Sequence, residues 1–355
     1  MVSTEFFSPG GVQSVSRQAV DVLKTAARVE AWSLCDRGLP ADTTPAAGVR
    51  FRFAAGSDWQ LGRWALGAAL TGDDDAVLLL MHLHLAPLAI PWLARRRRVV
   101  VFLYGVEAWR PLSPLQQFVL ARADLVAISR YTADRFKEAN PGVSTTRLNV
   151  CTLGIETDTP ATGSDRPVPG FALMVSRLSS EDRYKGHEQV IRAWQAVRAR
   201  VPGATLAIVG DGDDRQRLEA LVRTLGLEDS IHFAGRVSDA ELPGWYEQSE
   251  FFLLPSGQEG FGLVFLEAMR ASKPCVSGPG APESIVEDGK TGFIVTADDS
   301  PRLVDVTVAL FRDRALRDRL GSNGRIKFLR EFTAERFAER LRSLVIPTGV
   351  EGQTA

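Results

Sequence analysis

Short apolar runs alternate along this chain with stretches whose apolar residues recur every three or four positions. The near-continuous runs Ala76–His84 and Val99–Leu103 have the character of parallel strands buried on both faces. Further strands are predicted at Ser3–Phe7, Arg28–Cys35, Val49–Ala54 and Leu125–Ile128, with helical spacing over Val12–Leu23, Trp59–Leu70, Leu112–Ala123 and Thr132–Ala139. A second series follows. Its strands are predicted at Phe171–Val175, Thr205–Val209, Ile231–Ala234, Phe251–Leu254 and Cys275–Ser277. Its helices are predicted at Glu188–Arg200, Arg215–Leu225, Leu242–Gln248 and Gly262–Ala271, and the chain ends helically through Leu303–Leu320 and Ala334–Leu344. Between the two series, Thr157–Pro169 is rich in Pro, Thr, Ser and Asp without apolar period, which predicts a linker.

Alternation of this kind argues for open parallel sheets covered by helices. The expectation is an α/β chain of two facing, doubly wound Rossmann-like domains, residues 1–160 and 161–330. Ligands in such sheets bind beyond the carboxyl ends of the strands, where the winding reverses. A donor cleft between the domains would place a nucleotide on one side and an acceptor on the other.

Composition narrows the field. A length of 355 residues suits two cores better than one. With 42 basic against 43 acidic residues there is no global field to argue for nucleic acid. No apolar run approaches the roughly 18 residues a membrane span needs. The opening MVSTEFFSPGG lacks the pattern of a secretory signal, so a cytoplasmic protein is expected. Cys35, Cys151 and Cys275 read as buried small hydrophobes in a reducing compartment rather than a disulfide framework.

The chemistry concentrates in Ser256–Ser272, SGQEGFGLVFLEAMRAS, directly after a predicted strand. A strand, a tight turn and a helix start aim free N–H groups and a positive dipole end at an anion, most often a phosphate. Ser8-Pro9-Gly10-Gly11 has the same shape, with an ordinary turn as the alternative. Arg177 follows a strand, and Lys185-Gly186 opens a helix. Together these cations suit a pyrophosphate, Arg bidentately and Lys as a point charge, against the alternative of solvated surface cations. Glu259 is expected in the loop and Glu267 on the helix. A carboxylate fork suits a vicinal diol, which gives Glu267 to a ribose and Glu259 to a transferred sugar. The competing role for one of them is complementing the helix dipole.

Other features are weaker. Val209–Asp214 lacks the third glycine of a dinucleotide fingerprint and reads as a structural turn. Asp73–Asp75 could bind a divalent metal but reads as a solvated loop. His82 and His84 lie two apart on a predicted strand and should share a face. No further Cys or His stands nearby to complete a zinc site. One is expected to pack, and the other to sit at the strand end near an acceptor. Pro91-Trp92-Leu93-Ala94 followed by Arg95–Arg98 reads either as a peripheral contact with an anionic membrane or as a solvated helix C-terminus.

The segments SRLSSEDRYKGHEQVIRAW, VGDGDDRQRLE, FAGRVSDAEL and LLPSGQEGFGLVFLEAMRASKPCV, in this order, resemble the retaining glycosyltransferases of family four, which have the GT-B fold. In the first half the resemblance is looser, through SPGGVQ, MHLHLAPL, VVVFLYGVEAW and AISRYTADRF. It implies that Glu259 contacts the donor sugar, while the backbone of Gly260, Phe261, Gly262, Leu263 and Val264 holds sugar hydroxyls and phosphates. Glu267 would bind the ribose, and Arg177 and Lys185 would neutralise the departing diphosphate. Gly235, Arg236 and Val237 would meet the base. Gly11, beside Gly10, would approach the diphosphate from the first domain. The implied reaction moves a sugar with retention by front-face attack, with neither metal nor other cofactor. The last helix, about 333–346, would cross back to complete the first domain.

One departure stands out. Where many relatives carry a histidine at a strand end, this chain has Tyr104, which can donate a hydrogen bond but is no base near neutral pH. Glu107 then becomes the candidate for orienting the acceptor hydroxyl. The expected activity is transfer of a glucose-, mannose- or GlcNAc-type hexose from a UDP- or GDP-sugar to a saccharide or lipid-linked acceptor, in polysaccharide or glycolipid assembly. The alternatives are a nucleotide-sugar epimerase on the same fold and a catalytically weak nucleotide-sugar-binding protein.

Overall fold

The computed structural model describes residues 1–8, 10–40, 47–158 and 170–346. Its first stretch forms β1 (Val2–Ser3), α1 (Gly11–Leu23), β2 (Val29–Ser33), β3 (Val49–Phe53), α2 (Asp58–Thr71) and β4 (Leu78–Leu80). Then come α3 (Ile90–Ala94), β5 (Val99–Leu103), α4 (Pro114–Leu120), β6 (Asp124–Ala127), α5 (Arg130–Ala139) and β7 (Leu148–Val150). The second stretch forms β8 (Phe171–Val175), α6 (His187–Arg200), β9 (Thr205–Val209), α7 (Arg215–Thr224), β10 (Ile231–Gly235), α8 (Leu242–Gln248) and β11 (Ser249–Leu254). It continues with α9 (Leu263–Arg270), β12 (Cys275–Ser277), β13 (Gly292–Ile294), α10 (Ser300–Arg312), α11 (Arg314–Glu331) and α12 (Ala334–Val345).

The strands pair in parallel as a seven-stranded sheet, β3-β2-β1-β4-β5-β6-β7, and a six-stranded sheet, β10-β9-β8-β11-β12-β13. The chain divides into two compact units, Met1–Leu153 with the chain from Glu335 onward, and Gly154–Ala334. Each is a Rossmann-like α/β unit. Of the expected linker Thr157–Pro169, residues 159–169 lie outside the described residues. Every residue of β5 and of β8 is buried, as central parallel strands covered on both faces require. Winding reverses at β1/β4 in the first sheet and at β8/β11 in the second.

Several expectations are corrected. The strand expected over Ser3–Phe7 is only Val2–Ser3, because Ser3 Oγ turns to the Glu5 carbonyl (2.7 Å) and Phe6 N donates to Asp36 Oδ2 (2.7 Å). The run Ala76–His84 leaves the sheet after Leu80, and Leu83–Ala89 forms 3-10 turns capped by the His82 ring, whose Nδ1 accepts from His84 N at 3.2 Å. His82 and His84 therefore do not share a strand face. The apolar residues Leu85, Ala86 and Ala89 bury at helical rather than alternating spacing. Leu303–Leu320 is two helices, broken at Asp313, whose carboxylate accepts from Leu316 N (2.9 Å) to cap α11. The three-residue strands β7 and β13 were too short to show as apolar runs. Cys151 and Cys275 are buried, but Cys35 is exposed.

The stretch read as either a membrane contact or a solvated helix end is largely tied into the first unit. Trp92 is buried and its Nε1 donates to the Ala65 carbonyl at 3.0 Å. Arg97 donates to the Gly72 carbonyl (2.7 Å) and pairs with Asp74. Arg98 bonds Asp124 through Nε (2.7 Å) and caps α12, its Nη atoms donating to the Val345 (2.9 Å) and Leu344 (2.7 Å) carbonyls. These cations satisfy the last carbonyls of a helix, which otherwise lack partners. Only Arg95 and Arg96 of the four are exposed.

Candidate functional site

Strands β8 and β11 are neighbours that lead to opposite flanks, β8 into β9 and β11 into β12, so the loops at their carboxyl ends part and leave room for a ligand. After β8 the chain runs through Arg177 and a 3-10 turn at Ser180–Lys185 to Gly186, the N-cap of α6. After β11 it runs from Pro255 to Gly262, the N-cap of α9. Two contacts join the loops. Gly257 N donates to the Tyr184 carbonyl at 2.8 Å. Lys185 Nζ and Glu259 Oε1 form an ion pair at 2.9 Å, their side chains 15% and 14% exposed. Gly186 permits this approach: at φ 83° it sits in the left-handed region, and a Cβ would come within 3.1 Å of the Pro255 ring and 3.2 Å of its carbonyl.

Arg177 stands further out, its side chain 70% exposed. Its Nε donates to Asp182 Oδ2 at 2.9 Å, its Nη2 stands 2.8 Å from the same oxygen in an ion pair, and Tyr184 Oη donates to Oδ1 of that buried carboxylate at 2.9 Å. Hydrogen bonding to Asp182 raises the Arg177 pKa. Phe261, buried and edge-on to Phe332 at 6.1 Å, anchors the turn before α9. Gly260, Leu263 and Val264 remain half-exposed around it.

The segment Val209–Asp214, read from sequence as a turn, is the seat of the Arg177 loop. Leu178 N donates to the Asp211 carbonyl and Asp214 N to the Leu178 carbonyl, each at 3.0 Å. Asp213 accepts from Ser180 N (3.0 Å) and Ser180 Oγ (2.5 Å), and Asp214 accepts from Arg183 (3.2 Å). Beneath the loop, buried His187 shares a 2.8 Å hydrogen bond between Nε2 and Ser176 Oγ. Burial, assisted by the charge of Lys185, lowers its pKa from 6.5 to about 4. The unfolded chain therefore takes up this proton first, so the stability the neutral ring contributes is present above about pH 6.5 and is lost as pH falls towards 4. Between pH 7 and 4.5, His187→Gln is expected to lose about 2–3 kcal/mol less stability than the parent in urea unfolding. Equal losses in the two proteins would show that His187 takes up its proton as readily in the fold as in the unfolded chain.

Glu267 lies on the second turn of α9, where Oε2 accepts from the buried Tyr246 hydroxyl at 2.7 Å. Burial raises its pKa, and the Tyr246 hydrogen bond and Arg270 oppose that rise. A cavity of about 460 Å³ opens beside it, lined among others by Tyr246, Pro243, Arg270, Arg325 and Asp158. Glu259, Arg177 and Lys185 are not among the residues that line this cavity. Gly235 ends β10, followed by exposed Arg236 and half-buried Val237.

In the first unit Gly10 is the N-cap of α1 and Gly11 its first residue. Tyr104 is buried beside Ser16 of α1, and its hydroxyl has no hydrogen-bond partner among the described residues. Burial pushes its pKa well above 10. Glu107 Oε1 accepts from Tyr104 N (2.7 Å) and Gly105 N (3.1 Å), closing the turn after β5. The rings of His82 and His84 lie with centroids 4.7 Å apart and planes tilted by 40°, and burial lowers the His82 pKa. Among the described residues no three His, Cys, Asp or Glu side chains converge as a metal site.

Sequence reasoning missed Asp182, Tyr184, Tyr246 and the loop-holding role of Asp213 and Asp214. An acid between Arg177 and Lys185 was the one available sign of the first.

Residues 165–327 match the family described as glycosyl transferases group 1. The GDP-mannose-dependent alpha-(1-6)-phosphatidylinositol monomannoside mannosyltransferase of Mycolicibacterium smegmatis is 33% identical over 68% of this chain and 69% of its own length. Its counterpart in Mycobacterium tuberculosis is 34% identical, covering 68% of each chain. Among solved structures, Anabaena HepE in complex with UDP and glucose superposes with a TM-score of 0.77 at 20% identity, over 96% of this chain and 97% of that one. Sucrose-phosphate synthase from Thermosynechococcus elongatus gives the same score and identity over 97% of both chains. By fold and by sequence, the chain belongs to the glycosyl transferases group 1 family and is a family-four glycosyltransferase of GT-B fold.

Proposed function

We propose that this enzyme moves a hexose, with retention at the anomeric carbon, from a UDP- or GDP-sugar to a saccharide or lipid-linked acceptor in polysaccharide or glycolipid assembly. The observation that carries the reading is the convergence at β8/β11 of Lys185, Glu259, Arg177 and the amino end of α9. As the bond from the anomeric carbon to the diphosphate oxygen breaks, negative charge grows on the leaving group. In this reading Lys185, Arg177 and the N–H groups of Gly262–Val264 stabilise it. Glu259 accepts hydrogen bonds from hexose hydroxyls and Glu267 from the ribose diol. The acceptor hydroxyl attacks from the face the diphosphate leaves, and its proton passes to the departing phosphate oxygen, so no protein base is required. Metal-independent transfer at the cytoplasmic face of a membrane is part of the same proposal. No helix among the described residues is long and apolar enough to cross a bilayer. A GDP-mannose-dependent relative and a UDP-bound structural neighbour bring both bases into the test.

Glu267→Ala is expected to weaken nucleotide binding by about tenfold or more, as loss of charged hydrogen bonds does. Glu259→Ala should mainly lower turnover. Calorimetry with UDP, GDP and their sugars, beside initial rates, separates the two. Parent-like behaviour of both variants in both assays would remove the reading, and an inverted anomer in the NMR spectrum of the product would remove retention.

A further inference from the structure

We infer that the Lys185–Glu259 pair is a latch that makes the site prefer an intact sugar nucleotide to the spent nucleoside diphosphate. The inference rests on the donor site proposed above. The pair is shielded, at 15% and 14% side-chain exposure, so separating it leaves each charge poorly solvated. Lys185 cannot serve Glu259 and a diphosphate equally well. When a phosphate draws the ammonium away, the Glu259 carboxylate needs new donors. A hexose supplies them, since two of its hydroxyls can donate to the carboxylate fork. A nucleoside diphosphate has no group there.

Neighbouring side chains cannot take over. Arg177 donates through Nε to Asp182 and pairs with it through Nη2, and the Tyr184 hydroxyl is committed to the other oxygen of that carboxylate. Among the described residues Lys185 is the only cation paired with Glu259. The spent diphosphate thus binds against the cost of a bare carboxylate, whereas the intact donor replaces the broken pair with hydrogen bonds. The same asymmetry acts after transfer. Once the hexose leaves, re-forming the pair competes with the diphosphate for Lys185 and favours its release.

Calorimetric titration of UDP with UDP-glucose, and of GDP with GDP-mannose, tests this in the wild type, Glu259→Gln and Lys185→Arg. Glutamine is isosteric and uncharged, so the latch is lost while the hexose side keeps its shape. Glu259→Gln is expected to bind the free diphosphate about tenfold tighter than the wild type, between the effects of exposed and fully buried ion pairs. It should bind the sugar nucleotide no tighter, so the preference collapses. Lys185→Arg keeps both charges and should keep the preference. Unchanged or weaker diphosphate binding by Glu259→Gln, or an equal collapse in Lys185→Arg, overturns the latch while the donor site stands. A wild type that binds neither pair overturns the donor site and the latch with it.

Discussion

Lys185→Ala is expected to lower kcat by about 10²- to 10³-fold, the scale set by removing one preorganised charge-stabilising group from an active site. The reasoning is geometric. Lys185 ends the β8 loop with a side chain only 15% exposed, so its charge acts with little screening by water. Arg177, with a side chain 70% exposed, works in a wetter environment, and Arg177→Ala should cost about tenfold. The substitution also leaves Glu259 without its partner, so Lys185→Ala should lose thermal stability as well as turnover. Adding Glu259→Gln to Lys185→Ala removes the bare charge. The double variant should therefore regain most of the stability and none of the turnover. Initial rates with saturating donor, beside thermal unfolding of all three proteins, check the ordering. A Lys185→Ala enzyme as active as the parent would sink the leaving-group role.

Gly210→Val should strongly destabilise the second unit. Gly210 adopts φ 137°, and a Cβ there would lie 1.8 Å from the Ser176 carbonyl oxygen, which belongs to the backbone just before Arg177. Backbone at this point cannot shift without breaking ladder bonds. Ser176 N donates to the Val209 carbonyl at 3.1 Å, and Gly210 N to that of Gly235 at 2.8 Å. Steric overlap and an unfavourable φ together predict a loss of about 3–5 kcal/mol. At roughly 2–4 °C per kcal/mol for a unit of this size, the Tm should fall by about 10 °C. Because Gly210 seats the Arg177 loop, sugar-nucleotide affinity should fall as well. Gly226→Ala is the control, with φ 64° but open space around its Cβ, and should cost about 1 kcal/mol through backbone strain alone. Equal melting of the two variants would show that the loop tolerates displacement.

Legibility followed the physics of each element. The limits of β5 and β8 coincide with apolar runs because a strand buried on both faces has no polar position to blur its ends. Helices α6, α7 and α8 were legible to within a residue from their spacing. What failed was short or locally capped. The 3-10 turns after β4 hid inside an apolar run, since a histidine ring rather than a usual capping residue starts them. The break between α10 and α11 rests on one aspartate in an otherwise helical pattern.

By itself, then, the sequence determined two parallel-sheet units, a phosphate-ready turn at Glu259–Val264 and the cations Arg177 and Lys185 upstream of it. These depend on period, turn chemistry and charge, which are local. Only the tertiary structure decided which groups meet. Lys185 and Glu259 stand 74 positions apart and pair because β8 and β11 are adjacent in the sheet. Arg98, one of four cations in a run that the sequence left between a membrane contact and a solvated helix end, caps a helix 246 positions away at Leu344. Trp92, an aromatic beside four arginines, turned out to be core. A residue's type says what it can bond to, while strand order and burial determine which partner it finds and whether water competes.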